Sequence, residues 1–468
     1  MMNENLVQKI WNLCNVLRGD GISYREYISE LTYLLFLKIA EESETEDLLP
    51  ERYRWKDLIS YKGENLLGFY QEMLTHLGAK ADSKVVRQIY AFPTTVFSHS
   101  ENLKVVIEGI SKLDWHSLSQ DAIGDIYEGL LAKNSEDARS GAGQYFTPRP
   151  LVDCVVEVVQ PKVGEIIQDP AIGTGGFVIS ADQFIRRKYC KSYDKNPPFY
   201  QGMEIERGTY RLCLMNTFIH KMNSEIFLGD ALTVDSKALK QSDVILANPP
   251  FGSKVGGARK ARTDIPFPTS NKQLEFLQHI YLNLNSTGRA TVVLPDNVLF
   301  DEGIGKLIRQ DLMSKCELHT ILRLPTGIFY SPGIKTNVLF FNSGTQAKDN
   351  TSSIWIYDMR TNMPQFGKRK PLTKNHFSDF IRCYGSDPYA RGKRSDLGEQ
   401  SRFRCFSRNF IRKREDNLNI SWLREEVSLN NEFSSEPDQL AVAAILELES
   451  AVNDLNSLLE ILNNENAL

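Results

Sequence analysis

The sequence predicts an α/β core, preceded by a helical amino-terminal domain and followed by a helical carboxyl-terminal extension. Three observations carry that prediction. After about Gly164 the chain shows short apolar runs: "EIIQD" (165–169), "YQGMEI" (200–205), "EIFLGD" (225–230), "DVILAN" (243–248), "ATVVLP" (290–295), "HTILRLP" (319–325) and "NVLFF" (337–341). Their hydrophobicity is continuous rather than alternating, as in strands buried on both faces of a sheet covered by helices. The first 131 residues instead show apolar residues at helical spacing, and so does the end of the chain.

In the front domain Leu6, Ile10, Leu13 and Leu17 lie four, three and four apart, forming one apolar face. Gly19-Asp20-Gly21 interrupts it. Ser23, with Glu26 three residues later, then reads as a capping box opening a helix that buries Tyr27, Ile28, Leu31 and Leu35. Helical spacing continues to about Leu131, where "AKNSEDARSGAGQYFTPRP" reads as a linker. Beyond the seven strands, "IWIYDMR" (354–360) is expected to add an edge strand. Near the end, Ala441, Ile445, Leu448, Val452, Leu455, Leu459 and Leu462 alternate four and three apart after Pro437. Such a seam suits a helix bundled with a partner chain, and equally a helix packed on its own domain. The expected divisions are 1–138 (helical domain), 139–362 (α/β core), 363–434 (basic, loop-rich segment) and 435–468 (heptad helix).

Bulk composition narrows the function classes. Hydrophobic residues make up 41% and charged residues 24%, ordinary values for a globular protein. No run approaches the roughly 20 apolar residues of a membrane helix, and the amino terminus lacks a signal pattern. The richest run, "LTYLLFLKIA", carries Lys38 and reads as a core helix. Seven cysteines without a C-x-x-C pair suggest neither a metal site nor a disulfide framework, so a cytoplasmic, reduced protein is expected. A net charge of −4 argues against a self-sufficient nucleic-acid binder. Between Gly367 and Arg414, however, 14 Lys/Arg stand against 4 Asp/Glu. That run is either a solvated surface or a segment that contacts phosphate or a partner.

The chemistry concentrates at strand ends. The first strand runs into "DPAIGTGGFV", where Gly173, Gly175 and Gly176 allow a sharp turn and let a ligand touch the main chain. A dinucleotide fingerprint would need a glycine at a third position, which is missing. Asp169, Glu204 and Asp230 end successive strands, where open α/β sheets bind ligands. Glu204 stands where ribose hydroxyls would be held, and Asp230 where an adenine amine would be met. Three acids in that order suit an adenosine carrying positive charge. S-adenosylmethionine therefore fits better than NAD, and the core reads as Rossmann-like, of the methyltransferase kind.

The fourth strand leads into Asn248-Pro249-Pro250-Phe251. Two adjacent prolines stop a strand ladder, but a turn needs only one. The Asn248 side-chain oxygen and the Pro249 carbonyl make two rigid acceptors for both N–H groups of an exocyclic amine, and Phe251 offers a stacking face. A base in duplex DNA must be rotated out of the helix to reach such a pocket. The expected reaction is direct methyl transfer, without metal or covalent enzyme intermediate. The lack of a Pro-Cys dipeptide argues against cysteine-dependent chemistry at cytosine carbon. A methyltransferase acting on another planar amide or amine, and a catalytically idle scaffold, remain open alternatives.

Seven stretches together, "SGAGQYFTPRPLV", "DPAIGTGGF", "GMEIERGTYRLCLMN", "NPPFGS", "TSNKQLEFLQHI", "RATVVLPDNVLF" and "LRLPTGIFYSPGIKTNVLFF", resemble the modification subunit of Type I restriction–modification systems. That family is an adenine-N6 DNA methyltransferase, and the similarity runs from "WNLCNVLRGDG" through "LNISWL" to the terminal helix. The resemblance implies that Gln144, Tyr145, Phe146, Thr147, Pro148 and Arg149 line the methionine end of S-adenosylmethionine. It further implies that Thr174, Gly175 and Gly176 form the loop beneath the cofactor, that Glu204 holds its ribose, and that Asn248 to Phe251 act on adenine. Ile172 departs from the small residue or Cys of many relatives. The implied partners are double-stranded DNA, a specificity subunit that joins two modification subunits and chooses the sequence, and a restriction subunit. The terminal heptads would dock the specificity subunit. The basic, glycine-rich loop "GSKVGGARKARTDIPFPTSNKQ" would close over the flipped nucleotide.

Overall fold

The structure is a computed structural model that describes residues 2–13, 24–43, 45–115, 118, 120–137, 147–252, 262–329, 335–364, 366–367 and 370–424. The front of the chain contributes helices α1 (Met2–Asn12), α2 (Tyr24–Glu42), α3 (Trp55–Ser60), α4 (Asn65–Lys80), α5 (Lys84–Ile89), α6 (Ser100–Ser111) and α7 (Gln120–Asp137). Then follow α8 (Arg149–Val159), β1 (Ile166–Asp169), α9 (Gly176–Lys188), β2 (Phe199–Glu204), α10 (Arg207–Ile219), β3 (Ser224–Leu228) and β4 (Ser242–Ala247). The remainder holds α11 (Lys272–Leu282), β5 (Leu284–Pro295), α12 (Asn297–Phe300), α13 (Ile304–Lys315), β6 (Cys316–Arg323), β7 (Thr336–Ser343), β8 (Ser353–Asp358), α14 (Ser378–Tyr384), β9 (Phe403–Ser407) and α15 (Arg408–Lys413).

The chain divides into two compact units. One comprises Met1–Ala142, Ile172–Ile179 and Phe199–Gly229. The helical front thus shares a unit with β2, α10 and β3, and a few contacts explain why. Phe36 on α2 meets Phe218 on α10 with ring centroids 4.7 Å apart. Arg211 on α10 donates from Nε to the Ile89 carbonyl (2.7 Å) and stacks over Tyr33 at 4.6 Å. The α2 run reads as sequence expects: Leu34, Phe36, Leu37 and Ala40 are fully buried. Lys38 is satisfied by Glu41 and Glu42 at 2.6 and 2.5 Å. Leu6, Ile10, Tyr27, Ile28, Leu31 and Leu35 are buried as the spacing requires, whereas Leu17 and the Ser23 cap lie outside the described residues. Helix α7 runs on to Asp137, past the expected linker start at Ala132. Ala, Lys and Glu there are good helix formers.

Buried Glu30, 2% exposed, ties this unit together. It accepts from the Tyr70 hydroxyl on α4, from Thr95 Oγ1 (3.1 Å) and from the Val96 amide (2.9 Å). Burial pushes its carboxyl up to about 7, against the opposing pull of those hydrogen bonds.

The other unit comprises Gly143–Ala171, Ser180–Pro198 and Asp230–Leu468. Its strands stand in the order β1-β4-β5-β7-β6-β8-β9. The β1–β4 and β4–β5 pairs are parallel, and β7 enters antiparallel to both β5 and β6, with Val293 opposite Val338. Strands β4, β6 and β7 are buried almost throughout, which is why their sequences are continuously apolar. Ile245, Leu277, Val292, Ile308, Ile321 and Leu339 share one core cluster. Arg289 on β5 closes the carboxyl end of α8, donating to the Val159 and Gln160 carbonyls at 2.8 and 2.9 Å while pairing with Glu165.

Strand β8 is not the edge expected of "IWIYDMR". It lies between β6 (parallel) and β9 (antiparallel), so β9 takes the edge. The basic segment is more structured than a loop, because several of its cations turn inward. Arg394 donates to Thr320 Oγ1 (2.8 Å) and stacks on Trp355. Arg402 donates to the carbonyls of Asp358 and Thr361, and Arg408 pairs with Asp416. The expected heptad helix at 435–468 lies outside the described residues.

Candidate active site

Strand β1 ends in Asp169, 2% exposed, whose Oδ1 accepts from the Ala171 amide at 3.0 Å and so folds the chain into a bend. The bend reaches the glycine loop within three residues. Gly173 (φ +57°) and Gly175 (φ +90°) occupy the left-handed region that glycine adopts without strain. The Gly175 amide donates to the Ile172 carbonyl (2.9 Å), and Asn216 Nδ2 on α10 donates to the Thr174 carbonyl (3.0 Å). A methyl carbon at Gly175 would stand 3.3 Å from Cys213 Sγ. At Gly173 and Gly176 no heavy atom lies within 4 Å of such a carbon, so the main chain there is open to close approach by a ligand. Ile172 is buried beside the loop, its amide donating to the Met203 carbonyl (3.1 Å).

Strand β2 delivers Glu204, 5% exposed. One carboxylate oxygen accepts from the Gly173 amide (3.1 Å) and the other from the Glu206 amide (2.8 Å). The glycine loop and the acidic strand end are therefore bonded directly. Burial raises the Glu204 carboxyl above its ordinary range, opposed by these backbone donors. Glu206 in turn caps α10, accepting from Gly208 and Thr209 amides at 3.0 and 2.7 Å. The Gly229 amide donates to the Glu204 carbonyl (2.9 Å), which sets the end of β3 beside β2. Asp230 follows at once, with Oδ1 accepting from the Leu232 amide (2.9 Å).

In the second unit β4 ends at Ala247 and Asn248-Pro249-Pro250-Phe251 follows. Asn248 Nδ2 donates to Thr147 Oγ1 at 2.9 Å. The turn is fastened downstream: Gly252 takes φ +105°, and its carbonyl accepts from the Lys272 amide (3.2 Å) at the start of α11. Asn271 caps that helix through the Leu274 amide (3.1 Å). Phe251 is half-buried and meets Phe329 edge-on, with centroids 6.4 Å apart and planes at 69°. Pro148 precedes α8, on which Arg149 bonds Asp153 (3.1 Å) and Gln183. Arg262, at the far end of the basic loop, is held by Asp264 (2.5 Å) and by the ring of buried His279. Burial, with the Arg262 cation next, holds that imidazole neutral, lowering it to about 3.

The first unit thus brings together Gly173, Thr174, Gly175, Gly176 and Glu204, with Asp169 and Asp230 attached by the chain. The second brings Asn248 to Phe251 onto Thr147. Gln144, Tyr145 and Phe146 lie outside the described residues. Phe329 was not singled out in the sequence, although "LRLPTGIFYSPG" contains it; an aromatic among glycines and prolines was the available signal. Among the described residues no group of three or more His, Cys, Asp or Glu is arranged to hold a metal ion.

A family model for N-6 DNA methylases matches residues 118–430, and one for the HsdM amino-terminal domain matches residues 6–140. The chain belongs to the N-6 DNA methylase family of Type I restriction methylase subunits. It is 43% identical to the EcoKI methylase subunit of Escherichia coli (strain K12), over 98% of this chain and 95% of that one. It is 44% identical to the StySPI methylase subunit of Salmonella potsdam, over the same shares. Among solved structures, the EcoKI M protein aligns over 98% of this chain and 96% of its own, at 39% identity and a TM-score of 0.58. A chain from the structural work on complex assembly and conformational transition of the type I R-M system covers 99% of both, at 25% identity and a TM-score of 0.76. Membership across this length accounts for a helical front and a methylase core in one chain. No described helix in this family member is long and apolar enough to cross a membrane.

Proposed function

We propose that this methylase subunit transfers a methyl group from S-adenosylmethionine to the N6 amine of an adenine flipped out of duplex DNA. In this reading it works in the cytoplasm within a complex whose specificity subunit, joined by two modification subunits, chooses the sequence. A restriction subunit completes that complex, and methylation protects host DNA from it. The observation that carries the reading is the Asn248-Pro249-Pro250-Phe251 turn directly after β4, in a chain of the N-6 DNA methylase family.

The chemistry follows from the residues. An adenine amine is a weak nucleophile because its lone pair is delocalised into the ring. Asn248 Oδ1 and the Pro249 carbonyl accept its two N–H groups and draw the nitrogen toward a tetrahedral form. The prolines keep both acceptors in place, so little reorganisation accompanies reaction. Phe251 stacks on the extruded base, with Phe329 bracing its edge. Asp169, Gly173, Thr174, Gly175, Gly176, Glu204 and Asp230 are the cofactor-holding set, supplemented by Gln144 to Arg149 at the methionine end. The open space over Gly173 and Gly176, beside the Glu204 carboxylate, fits a ligand that lies against the main chain. S-adenosylmethionine bound there supplies a methyl group attached to a positively charged sulfur.

Radiolabelled methyl transfer tests the reading. With a specificity subunit present, label is expected in duplex DNA and recovered as N6-methyladenine. Label in RNA or protein instead, or none in DNA, overturns it.

A further inference from the structure

The reading above leaves open what makes the Asn248 amide present its oxygen, rather than its nitrogen, to the adenine amine. The two ends of a carboxamide have nearly the same shape but opposite hydrogen-bonding roles. Turned over, Asn248 would set its own NH₂ donors against the N–H donors of the substrate, and methyl transfer would lose an acceptor. A proline-stiffened backbone fixes where the amide is, and leaves its flip unfixed.

Resting on that reading, we infer that Thr147 is a positioning residue for methyl transfer: its hydroxyl oxygen accepts from Asn248 Nδ2 and so commits Oδ1 to the target amine. The two residues are 101 positions apart, and the contact is 2.9 Å, a full-strength hydrogen bond. Both side chains are half-buried, where a misdirected donor is costly. Thr147 is itself held from both sides. Pro148 and the first turn of α8 follow it, with the Leu151 and Val152 amides donating to the Pro148 carbonyl at 2.9 and 3.1 Å. Asn248 is held by β4 before it and by the Gly252–Lys272 bond after it. Two rigid segments therefore meet through one side-chain contact. Donation from Nδ2 also polarises the amide and places more negative charge on Oδ1, improving it as an acceptor. This role differs from lining the methionine end of the cofactor, which the family resemblance implies for the same residue.

The test uses the methylase with its specificity subunit on a duplex carrying a methylation site mapped from host genomic DNA. Thr147→Val removes the hydroxyl while keeping the shape. Thr147→Ser keeps the hydroxyl. Asn248→Ala reports on the underlying reading. Saturating turnover of Thr147→Val is expected to fall by about tenfold to a hundredfold, the scale of one lost and misdirected hydrogen bond. Calorimetric S-adenosylmethionine binding stays within about twofold of the parent, on the premise that Thr147 acts through Asn248. Fluorescence of 2-aminopurine placed at the target, which reports extrusion of the base, stays unchanged. Thr147→Ser restores turnover. Unchanged turnover in Thr147→Val overturns the inference, and so does a defect that saturating cofactor cures, which would make Thr147 a cofactor ligand. Equal damage from Val and Ser also overturns it, since the hydroxyl would then not be what matters. If Asn248→Ala still turns over, the catalytic reading itself fails, whatever Thr147 does.

Discussion

Asn248 and Gly175 each do one thing that no other residue type does in their place. Asn248 offers an acceptor oxygen while its nitrogen is engaged by Thr147. Gly175 turns the loop through φ +90° with Cys213 Sγ pressed close behind. Adding a methyl group there meets both a strained backbone and a tight contact. Gly175→Ala is therefore expected to cost roughly 1–2 kcal/mol of stability and to weaken S-adenosylmethionine binding, measurable by thermal unfolding and calorimetric titration. Parent-like values of both would contradict this account of the loop. These residues differ in how visible they are beforehand. Glycines after a strand, and an Asn followed by two prolines, announce themselves locally. The Thr147 contact does not, because a pairing across 101 positions leaves no periodic trace in sequence. Phe329 was hidden for the same reason: its partner Phe251 is distant along the chain.

At the scale of elements, legibility followed burial. Strands β4, β6 and β7 are covered on both faces and so read as apolar runs. Strand β9 reads "FRCFS", with only its two phenylalanines buried, inside a basic stretch. Its sequence carries no such run, and missing it made β8 look like the edge. The charge excess between Gly367 and Arg414 gave no warning that Arg394, Arg402 and Arg408 would bond inward.

Glu30 provides an element-level test, since it joins α2 to α4 and to the Thr95–Val96 segment. Folding raises its carboxyl from an ordinary 4.5 to about 7. Between those values the folded protein holds a proton that the unfolded chain releases. Its contribution is full below about 4.5 and is lost as pH rises through about 7. Relative to Glu30→Gln, whose amide does not titrate, the parent Tm should fall by several degrees from pH 5 to pH 8, at roughly 1.4 kcal/mol per pKa unit. Parallel Tm curves for the two proteins would show that the carboxyl does not carry this shift.

For the whole molecule, the joint presence of a helical front and a methylase core was readable because both families of pattern are long. A fold-level surprise was that β2, α10 and β3 share a compact unit with the helical front. Ring stacking and Arg211 made that bond, and neither has a sequence period. A mildly acidic chain acting on DNA is understandable if a partner supplies much of the grip. The seam from Ala441 to Leu462 is proposed as the contact with that partner. Deleting residues 437–468 is expected to abolish co-purification with the specificity subunit while leaving S-adenosylmethionine binding intact. Undiminished assembly would assign the seam elsewhere.

The central claim is that the corner after β4 acts on the adenine amine and does not hold the cofactor. Its most direct test compares parent and Asn248→Ala complexes for tritium transfer from labelled S-adenosylmethionine to duplex DNA, with cofactor affinity measured on the same preparations. The account predicts turnover reduced by at least about a hundredfold with cofactor affinity unchanged. Near-parent turnover by the variant would contradict it.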